Sequence, residues 1–379
     1  MAKGDISPSE SYQSHDPETG VQIRQITSQH SIHHHPFYYV PAYDDEMRWL
    51  FFISYRSGAP QIFAERRNNG DLIQLTNRSD INEWSLHPAH DSNSVYFTTK
   101  TGGWRLDMES LREEQIVCFG SAEKASGMVG AGMGTTTLSS DDQWWAIPVQ
   151  LKARGQLLVV NTSTGDANAI CENTSIGHPE FHPNDTSLLR YGGSYDQRIW
   201  VVNRNGSNHQ LVYNRNISRK EWIVHECWRP HTRDILTTNW PHGVMAIDID
   251  SKKTRWVSCF NAWHPMVDRT GTYMIADTKN PDIGLQLFDI KEELTIPRPV
   301  CRSRSSNIGE HWDTGHCPYD DGPVNVYAPQ HTHPHPNISP DGKYVVFTSD
   351  YSGVSQIYEA LLETFADSRL NDKHRVTVR

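Results

Sequence analysis

One pattern recurs along the chain and limits the folds that it can form. Each copy is a tight polar turn followed by an apolar strand rich in aromatic residues. The copy at residues 338–350 is the clearest, because its Ser-Pro-Asp-Gly turn combines a proline that presets φ with a glycine that accepts positive φ. Aligned on the strand that follows, the turns fall at seven positions: Asp45, Asp91, Asp141, Asn184, Thr232, Thr270 and Asp341.

The spacing of these turns predicts the architecture. Successive intervals are 46, 50, 43, 48, 38 and 71 residues, with a mean of about 49. The runs between them have the length and the β-branched or aromatic character of strands, at residues 49–53, 95–97, 156–160 and 199–202. Repeats of this length predict an all-β fold, a seven-bladed β-propeller. A pair of β-sandwiches or a β-helix is the alternative, but a sandwich does not repeat seven times.

We expect residues 1–379 to form a single propeller domain with two departures from the repeat. A strand-like segment at residues 20–27 precedes the first copy and is expected to close the ring by joining the last blade. The long last interval places an insertion at about residues 301–332. Its aromatic and histidine content predicts an ordered loop over one face.

Composition excludes several classes of protein. The net charge of −10 argues against a nucleic-acid binder, and no apolar run is long enough to cross a membrane. The first twenty residues lack the apolar segment of a secretory signal, so we expect a cytoplasmic protein. Six scattered cysteines without a CxxC pair predict reduced thiols and suggest no cysteine metal site.

The 20 histidines are in excess, and several share one position of the repeat. His178, His264 and His335 each stand six residues before their turn, and His225 stands seven before. In a propeller the strand before this turn is normally innermost, so these side chains are expected at the mouth of the central channel. His333 lies two residues before His335 and shares its face, so two imidazoles with a third from the next blade form a plausible metal site.

Other interpretations of these histidines stay open. A propeller channel is wet, and polar side chains there often only hold water. The run at residues 33–35 is interpreted as a polar loop. His87 and His182 each precede a proline at a turn and are interpreted as structural.

At these residues the sequence resembles the oligogalacturonate lyases of pectin breakdown, a family of seven-bladed propellers. The similarity covers nearly the whole chain and is looser in the N-terminal third and at residues 301–329, where this chain has a longer loop. Its most specific part is Gln330-x-x-His333-Pro-His335-Pro. The propeller turns alone are not specific.

The resemblance implies a divalent metal ion, commonly manganese, as cofactor and an acidic oligosaccharide as substrate. The residues that match the family's metal ligands are His264, Gln330, His333 and His335. Imidazole and amide ligands suit manganese, iron, nickel or zinc better than calcium, which prefers oxygen alone.

The resemblance also implies the catalytic groups. His225 matches the histidine that removes a proton from the sugar, and Arg198 matches an arginine that contacts the substrate. We assign His178 to substrate binding as well. A neutral histidine suits the base, because its ordinary pKa of about 6.5 lies near working pH. The alternatives are a salt bridge at the surface or between blades for Arg198 and a water-binding or outer-shell role for His225.

Four functions follow from these observations. The first is β-elimination on galacturonate oligomers, in which a metal neutralises the uronate carboxylate. The second keeps this mechanism but acts on another uronate oligosaccharide, as the loop at 301–329 suggests. The third is a non-catalytic propeller that binds sugar or protein. The fourth is a metal-dependent hydrolase, although such propellers usually hold calcium with carboxylate and amide oxygens rather than imidazoles.

Overall fold

The computed structural model describes residues 1–120, 124–125, 134–151, 154–219, 221–279, 281–306 and 330–362. Seven antiparallel sheets form a ring, which confirms the predicted seven-bladed β-propeller. Within the described ranges the helical segments are three short 3-10 turns, Glu83–Ser85, Ile217–Arg219 and Gln330–Thr332. No helix of this part of the chain has the length and apolarity that a bilayer crossing requires.

The first four blades follow the chain in order, each listed here from its first strand along the chain. Blade 1 is Ile6–Ser7, His33–His34, Trp49–Ser54, Gln61–Arg66 and Leu72–Gln74. Blade 2 is His87–Pro88, Ser94–Thr98, Gly102–Asp107 and Glu113–Cys118. Blade 3 is Lys124–Ala125, Thr137–Leu138, Trp144–Leu151, Arg154–Asn161 and Ala167–Asn173. Blade 4 is Gly177–His182, Asp185–Gly192, Ile199–Asn203 and Gln210–Tyr213.

The remaining three blades complete the ring. Blade 5 is Trp222–Trp228, Asp234–Trp240, Gly243–Asp248 and Thr254–Ser258. Blade 6 is Ala262–Val267, Tyr273–Thr278, Leu285–Asp289 and Arg298–Cys301. Blade 7 takes Tyr12–His15 and Gln22–Gln25 from the N-terminal region together with Asn337–Ile338, Tyr344–Ser349 and Gln356–Leu361.

All seven predicted turns join the inner strand of a blade to its neighbour, and hydrogen bonds explain why they form. Ser339 Oγ lies 2.6 Å from Asp341 Oδ1, and that carboxylate also accepts the Lys343 backbone N–H at 3.1 Å. Side chains therefore satisfy backbone groups that the reversal leaves without a strand partner.

The ring is closed by strands from both ends of the described chain. Gln22–Gln25 pairs antiparallel with Gln356–Leu361, so the outer part of blade 7 comes from the N-terminal region. Arg24 then binds Glu65 of blade 1 at 2.7 Å and Glu359 of blade 7 at 3.2 Å. Both carboxylates are buried, so this ion-pair network joins the blades on the two sides of the closure.

Apolar residues of neighbouring blades share the cores between them. One cluster joins Phe51 and Ile62 of blade 1 to Val95 and Phe97 of blade 2. Each fully buried side chain of this size contributes roughly 1.5–3 kcal/mol relative to exposure. The sheets are thereby held face to face around the axis, and their inner strands line one central space.

The segment after the first inner strand fills that space. Phe37, Tyr38 and Tyr39 are 8 % exposed or less and form part of the largest apolar cluster. Tyr38 donates to the Glu226 carbonyl at 2.7 Å, and Tyr39 donates to the Pro179 carbonyl at 3.2 Å. The channel is therefore filled by aromatic rings along its axis, and the histidines pack around them.

Candidate metal centre and active site

Bulges in the inner strands of blades 4, 5 and 6 aim the predicted histidines inward. The pairing register shifts between Gly177 and Glu180, between Val224 and Cys227, and between Ala262 and Pro265. A bulge adds an unpaired residue and turns a side chain away from the regular alternation. The histidine within the bulge is His178 in blade 4, His225 in blade 5 and His264 in blade 6.

Three of the site histidines also have a backbone that residues other than glycine seldom adopt. The φ angles of His178, His225 and His335 are +50°, +56° and +44°. A non-glycine residue in this region costs of order 1–3 kcal/mol and persists where the surrounding structure enforces it. At this site, histidine side chains that point inward are therefore carried on a strained backbone.

His264, His333 and His335 come together as a buried group. One ligand nitrogen from each lies within 4.8 Å of the others. The imidazole centres of His264 and His335 are 4.2 Å apart, and those of His333 and His335 are 5.6 Å apart. Of the three predicted ligand histidines, His264 thus comes from the inner strand of blade 6. His333 and His335 come from the segment before the inner strand of blade 7.

These imidazoles are suited to a cation because several of their nitrogens are buried and unused. Both ring nitrogens of His333 and Nε2 of His335 have no hydrogen-bond partner among the described residues. Leaving such groups unpaired in the interior is costly. Burial also lowers the pKa values of all three histidines well below the ordinary value, so they are neutral and hold lone pairs for a metal.

A carboxylate on the neighbouring strand orients one of the three predicted ligand histidines. Asp277 accepts the His264 backbone N–H at 2.6 Å and its Nδ1–H at 2.8 Å. This fixes the tautomer and leaves Nε2 as the ligand atom, an arrangement typical of metal-binding histidines. Burial raises the pKa of Asp277 to about 7.

A second histidine positions the backbone of His335. His35 Nε2 donates to the His335 carbonyl at 2.8 Å, and its Nδ1 lies 2.9 Å from the Thr348 hydroxyl. Residues 33–35 are all 1 % exposed or less, so their interpretation as a polar loop is wrong. The run is part of the inner strand and of the turn that enters the channel.

Beside the three predicted ligand histidines, His225 is held in one neutral tautomer. Its Nδ1 donates to the Trp263 carbonyl at 2.5 Å, which places the remaining lone pair on Nε2. Its ring centre is 4.3 Å from that of His264. Burial lowers the pKa of His225 well below the ordinary value, and the charge of Arg198 lowers it further.

Arg198 lies in a buried ion pair between blades 4 and 5. Its Nε donates to Glu226 Oε1 at 2.6 Å, and Nη2 donates to His178 Nδ1 at 3.1 Å. The salt bridge that was the alternative for Arg198 is therefore present. His178 must carry its proton on Nε2, and that buried nitrogen has no partner within the described residues.

Two aromatic rings close the site on the side of the channel. Phe37 stacks on His178 at 4.8 Å between ring centres and lies 4.7 Å from the centre of His335. Trp84 contacts His335 edge-on at 5.7 Å. This apolar wall limits access of water to the imidazoles and lowers the local dielectric, which strengthens charge interactions.

Several polar residues around the site were not predicted from the sequence. His34 stacks on Trp84 at 4.2 Å and binds Glu83 at 3.2 Å. Burial raises the pKa of Glu83, but the hydrogen bonds and charge of His34 and the hydrogen bond of Tyr55 bring it down to about 2. Lys279 is 3 % exposed. Its charge adds to the lowering that burial causes in the pKa values of His264 and His333, and it opposes the rise that burial causes in the pKa of Asp277.

Two predictions lie at the edge of the described residues. The backbone of Gln330 starts the 3-10 turn Gln330–Thr332, three residues before His333, but its side chain lies outside the described part. Of the predicted insertion at 301–332, residues 307–329 lie outside as well. The Gln330 ligand and the ordered loop therefore stay predictions.

The histidines at the other end of the inner strands differ in their contacts. His87 Nδ1 lies 2.7 Å from the Pro88 carbonyl, and His182 Nε2 lies 2.8 Å from the Thr232 carbonyl. Their hydrogen bonds support the structural interpretation. The described cysteines at positions 118, 171, 227, 259 and 301 are free thiols.

Together, the ring of blades and the buried imidazole cluster define a β-propeller enzyme with a site suited to a divalent cation. A family profile described as oligogalacturonate lyase matches residues 1–366. The chain belongs to the oligogalacturonate lyase family, whose members are carbon–oxygen lyases acting on polysaccharides.

Individual relatives match over almost the whole length. The oligogalacturonate lyase of Dickeya dadantii is 23 % identical over 95 % of this chain and 98 % of that protein. The oligogalacturonide lyase of Pectobacterium atrosepticum is 22 % identical with the same coverage.

Solved structures support the fold. An oligogalacturonate lyase in complex with manganese matches with a TM-score of 0.81 at 23 % identity, over 96 % of this chain and 99 % of that one. An oligogalacturonate lyase from Vibrio parahaemolyticus matches with a TM-score of 0.78 at 21 % identity, over 96 % and 100 %. At these identities the structural likeness establishes the fold.

Proposed function

We propose that this protein cleaves oligogalacturonides by β-elimination at the imidazole cluster. Membership of the oligogalacturonate lyase family supports the substrate class. The observation that carries the proposal is the position of one neutral histidine, His225, beside three histidines that each bring one nitrogen within 4.8 Å of the others. A binding propeller would not require this combination.

The reaction begins with loss of the proton at C5 of a uronate residue. We assign this proton to Nε2 of His225, because Nδ1 is already bound to the Trp263 carbonyl. The electron pair of the C5–H bond then forms a double bond between C4 and C5. The C4–O bond breaks, its electrons go to the oxygen of the departing sugar, and that oxygen takes a proton from solvent. A neutral imidazole fixed in one tautomer is suited to this transfer, which typically contributes about 10²–10⁴-fold to a rate.

The C5 proton is only weakly acidic because the adjacent carboxylate is already negative. A divalent cation, which we propose is Mn²⁺, supplies Lewis-acid neutralisation of that carboxylate when bound. His264, His333, His335 and Gln330 would hold it. All four are neutral ligands, so they leave the full positive charge of the ion for the substrate.

Arg198 and His178 are assigned to the sugar. The buried Nε2–H of His178 is a hydrogen-bond donor without a described partner, and Arg198 holds its ring through Nδ1. Glu226 offsets the charge of Arg198, so we expect these two residues to orient the substrate more than to attract it. Attraction of an anion to a chain of net charge −10 falls mainly to the metal centre.

The test is an assay with galacturonate di- and trisaccharides in the presence of Mn²⁺. The conjugated product absorbs in the ultraviolet, so a rise that chelator abolishes supports the proposal. A rise only with other uronate oligomers would keep the mechanism and change the substrate. New reducing ends without absorbance would mean hydrolysis and would overturn it.

A further inference from the structure

A cleft opens on blade 7, outside the imidazole cluster. It encloses about 330 Å³ between the strands of this blade and the segment at residues 302–306. Its walls include Tyr12, Tyr351, Tyr358, Phe347, Arg302 and Arg304. Nothing in the proposed elimination uses these residues.

Two of the aromatic rings in this cleft are unusually exposed. Tyr12 is 64 % exposed and Tyr351 is 63 % exposed, whereas most large apolar side chains of the described residues are buried. Exposed apolar surface gathered in one concave place is typical of binding sites. A flat phenol ring presents an apolar face to the C–H face of a sugar ring and a hydroxyl group to its polar edge.

The arginines give the cleft a preference for anions. Arg304 is exposed, lies over the Tyr351 ring at 5.1 Å and donates to its hydroxyl at 3.1 Å. No carboxylate within the described ranges forms an ion pair with it. Its backbone φ is +54°, which a non-glycine residue rarely adopts, so the fold holds this residue at the lip against a conformational cost.

The acidic groups of the cleft are already engaged. Asp16 accepts the backbone N–H groups of Glu18 and Thr19 at 2.9 Å each and that of Arg302 at 2.9 Å. Glu18 binds Arg302 at 2.8 Å, but this pair is solvent-exposed and therefore weak. A ligand carboxylate can replace Glu18 at small cost.

The cleft is joined to the metal-ligand segment by hydrogen bonds. Ser305 donates to the carbonyl of Thr332, the residue before His333. The backbone N–H of Thr348 donates to the Pro334 carbonyl at 3.0 Å, and the strand that contains Thr348 leads directly into the turn of Tyr351. The cleft and the cluster therefore share one face of the propeller.

We propose that this cleft binds uronate residues of longer oligosaccharides, apart from the residue that reacts. The inference rests on the proposed function for its choice of an acidic sugar. Aromatic faces would stack on the sugar rings, and Arg302 with Arg304 would bind the carboxylates through charge-assisted hydrogen bonds.

Binding is measured first, without turnover. In a His225→Ala background, calorimetric titration with pentagalacturonate compares the cleft variants Arg304→Ala and Tyr351→Ala with the unaltered cleft. We expect each variant to bind about tenfold more weakly, because charge-assisted hydrogen bonds and stacking are each lost. Arg233→Ala removes an equally exposed arginine paired with Asp250 on blade 5 and serves as the matched control.

Kinetics then separate the two proposals. With His225 present, the cleft variants should show a raised KM for pentagalacturonate and an unchanged KM for digalacturonate. Equal binding and equal KM values in the cleft variants and the Arg233→Ala control would overturn the inference. If no galacturonide is cleaved but the cleft variants still bind pentagalacturonate more weakly, the proposed function fails and the cleft remains a uronate site.

Discussion

The two sides of the imidazole cluster differ in how their polar groups are satisfied. On the side of blades 6 and 7, His333 and His335 keep ring nitrogens without a partner within the described residues. On the side of blades 4 and 5, Arg198 and Glu226 are joined in a buried ion pair, and Arg190 donates to the His178 carbonyl at 2.9 Å. Both sides are buried to a similar degree.

The difference indicates two functions within one site. Buried nitrogens without partners destabilise the fold, and a bound cation can offset this cost. The side of blades 6 and 7 is therefore suited to hold a metal. On the side of blades 4 and 5 the charges of Arg198 and Glu226 are already paired, although Nε2 of His178 has no partner among the described residues. This side is therefore suited to fix the directions of His178 and Arg198 without a ligand. His225 lies between them, with one nitrogen bound and one available.

The largest effect is expected where the two sides meet. His225→Ala should lower kcat by roughly 10²–10⁴-fold because the proton acceptor is removed. Its metal content should stay unchanged, since His225 is not one of the ligand group. Steady-state kinetics and elemental analysis measure both. His231→Ala, an exposed histidine in the same blade region, is the control, and retained turnover in His225→Ala would refute the assignment of the base.

Breaking the ion pair on the side of blades 4 and 5 should lower the stability of the fold more than it lowers the rate of the reaction. Glu226→Gln leaves the buried guanidinium of Arg198 without its counter-charge, and such losses cost about 3–5 kcal/mol. Thermal unfolding should therefore begin at a clearly lower temperature. Asp250→Asn breaks the exposed pair with Arg233 and should change little. Equal effects of the two substitutions would remove the distinction between the two sides.

A substitution on the side of blades 6 and 7 should weaken metal binding and leave the fold intact. His333→Ala removes a ligand, so Mn²⁺ affinity should fall by more than the roughly 100-fold upper range for loss of an outer-shell partner. Equilibrium dialysis with metal analysis measures it. The buried nitrogens disappear with the side chain, so we expect thermal stability without metal to fall less than in Glu226→Gln. Unchanged metal content would exclude His333 as a ligand.

The smallest effect is expected for Asp277, which contacts the predicted ligand His264 and not the ion itself. Asp277→Asn keeps the shape of the side chain but loses the charge that fixes the His264 tautomer. Mn²⁺ affinity should fall by about 10–100-fold. Asp282→Asn, on the loop that follows the same strand, is the control. A loss as large as that of His333→Ala would mean that Asp277 binds the metal directly.

Much of the fold followed from the sequence because the repeat is local. Each turn, such as that at Asp341, is specified by residues within a few positions, and the strand after it by its own apolar run. Seven such units in one chain leave few closed arrangements. The histidine positions followed for the same reason, because they stand at a fixed distance before the turns.

What the sequence did not reveal depends on contacts between distant segments. Asp277 reaches His264 across a bulged strand pair, and no local motif marks it. His35 contacts His335, 300 residues further along the chain, and was assigned to a loop because a polar run suggests solvent exposure. The triple histidine itself was the available signal, since three consecutive imidazoles are rare in an ordinary loop.

The central claim is that His264, His333 and His335 share one divalent cation. Crystals grown with MnCl₂ and measured at the manganese absorption edge test it most directly. We expect a single strong anomalous peak in contact with one nitrogen of each of the three imidazoles, and no such peak in His333→Ala crystals. A map without a peak between these residues, from protein that is active in the same solution, would contradict the account.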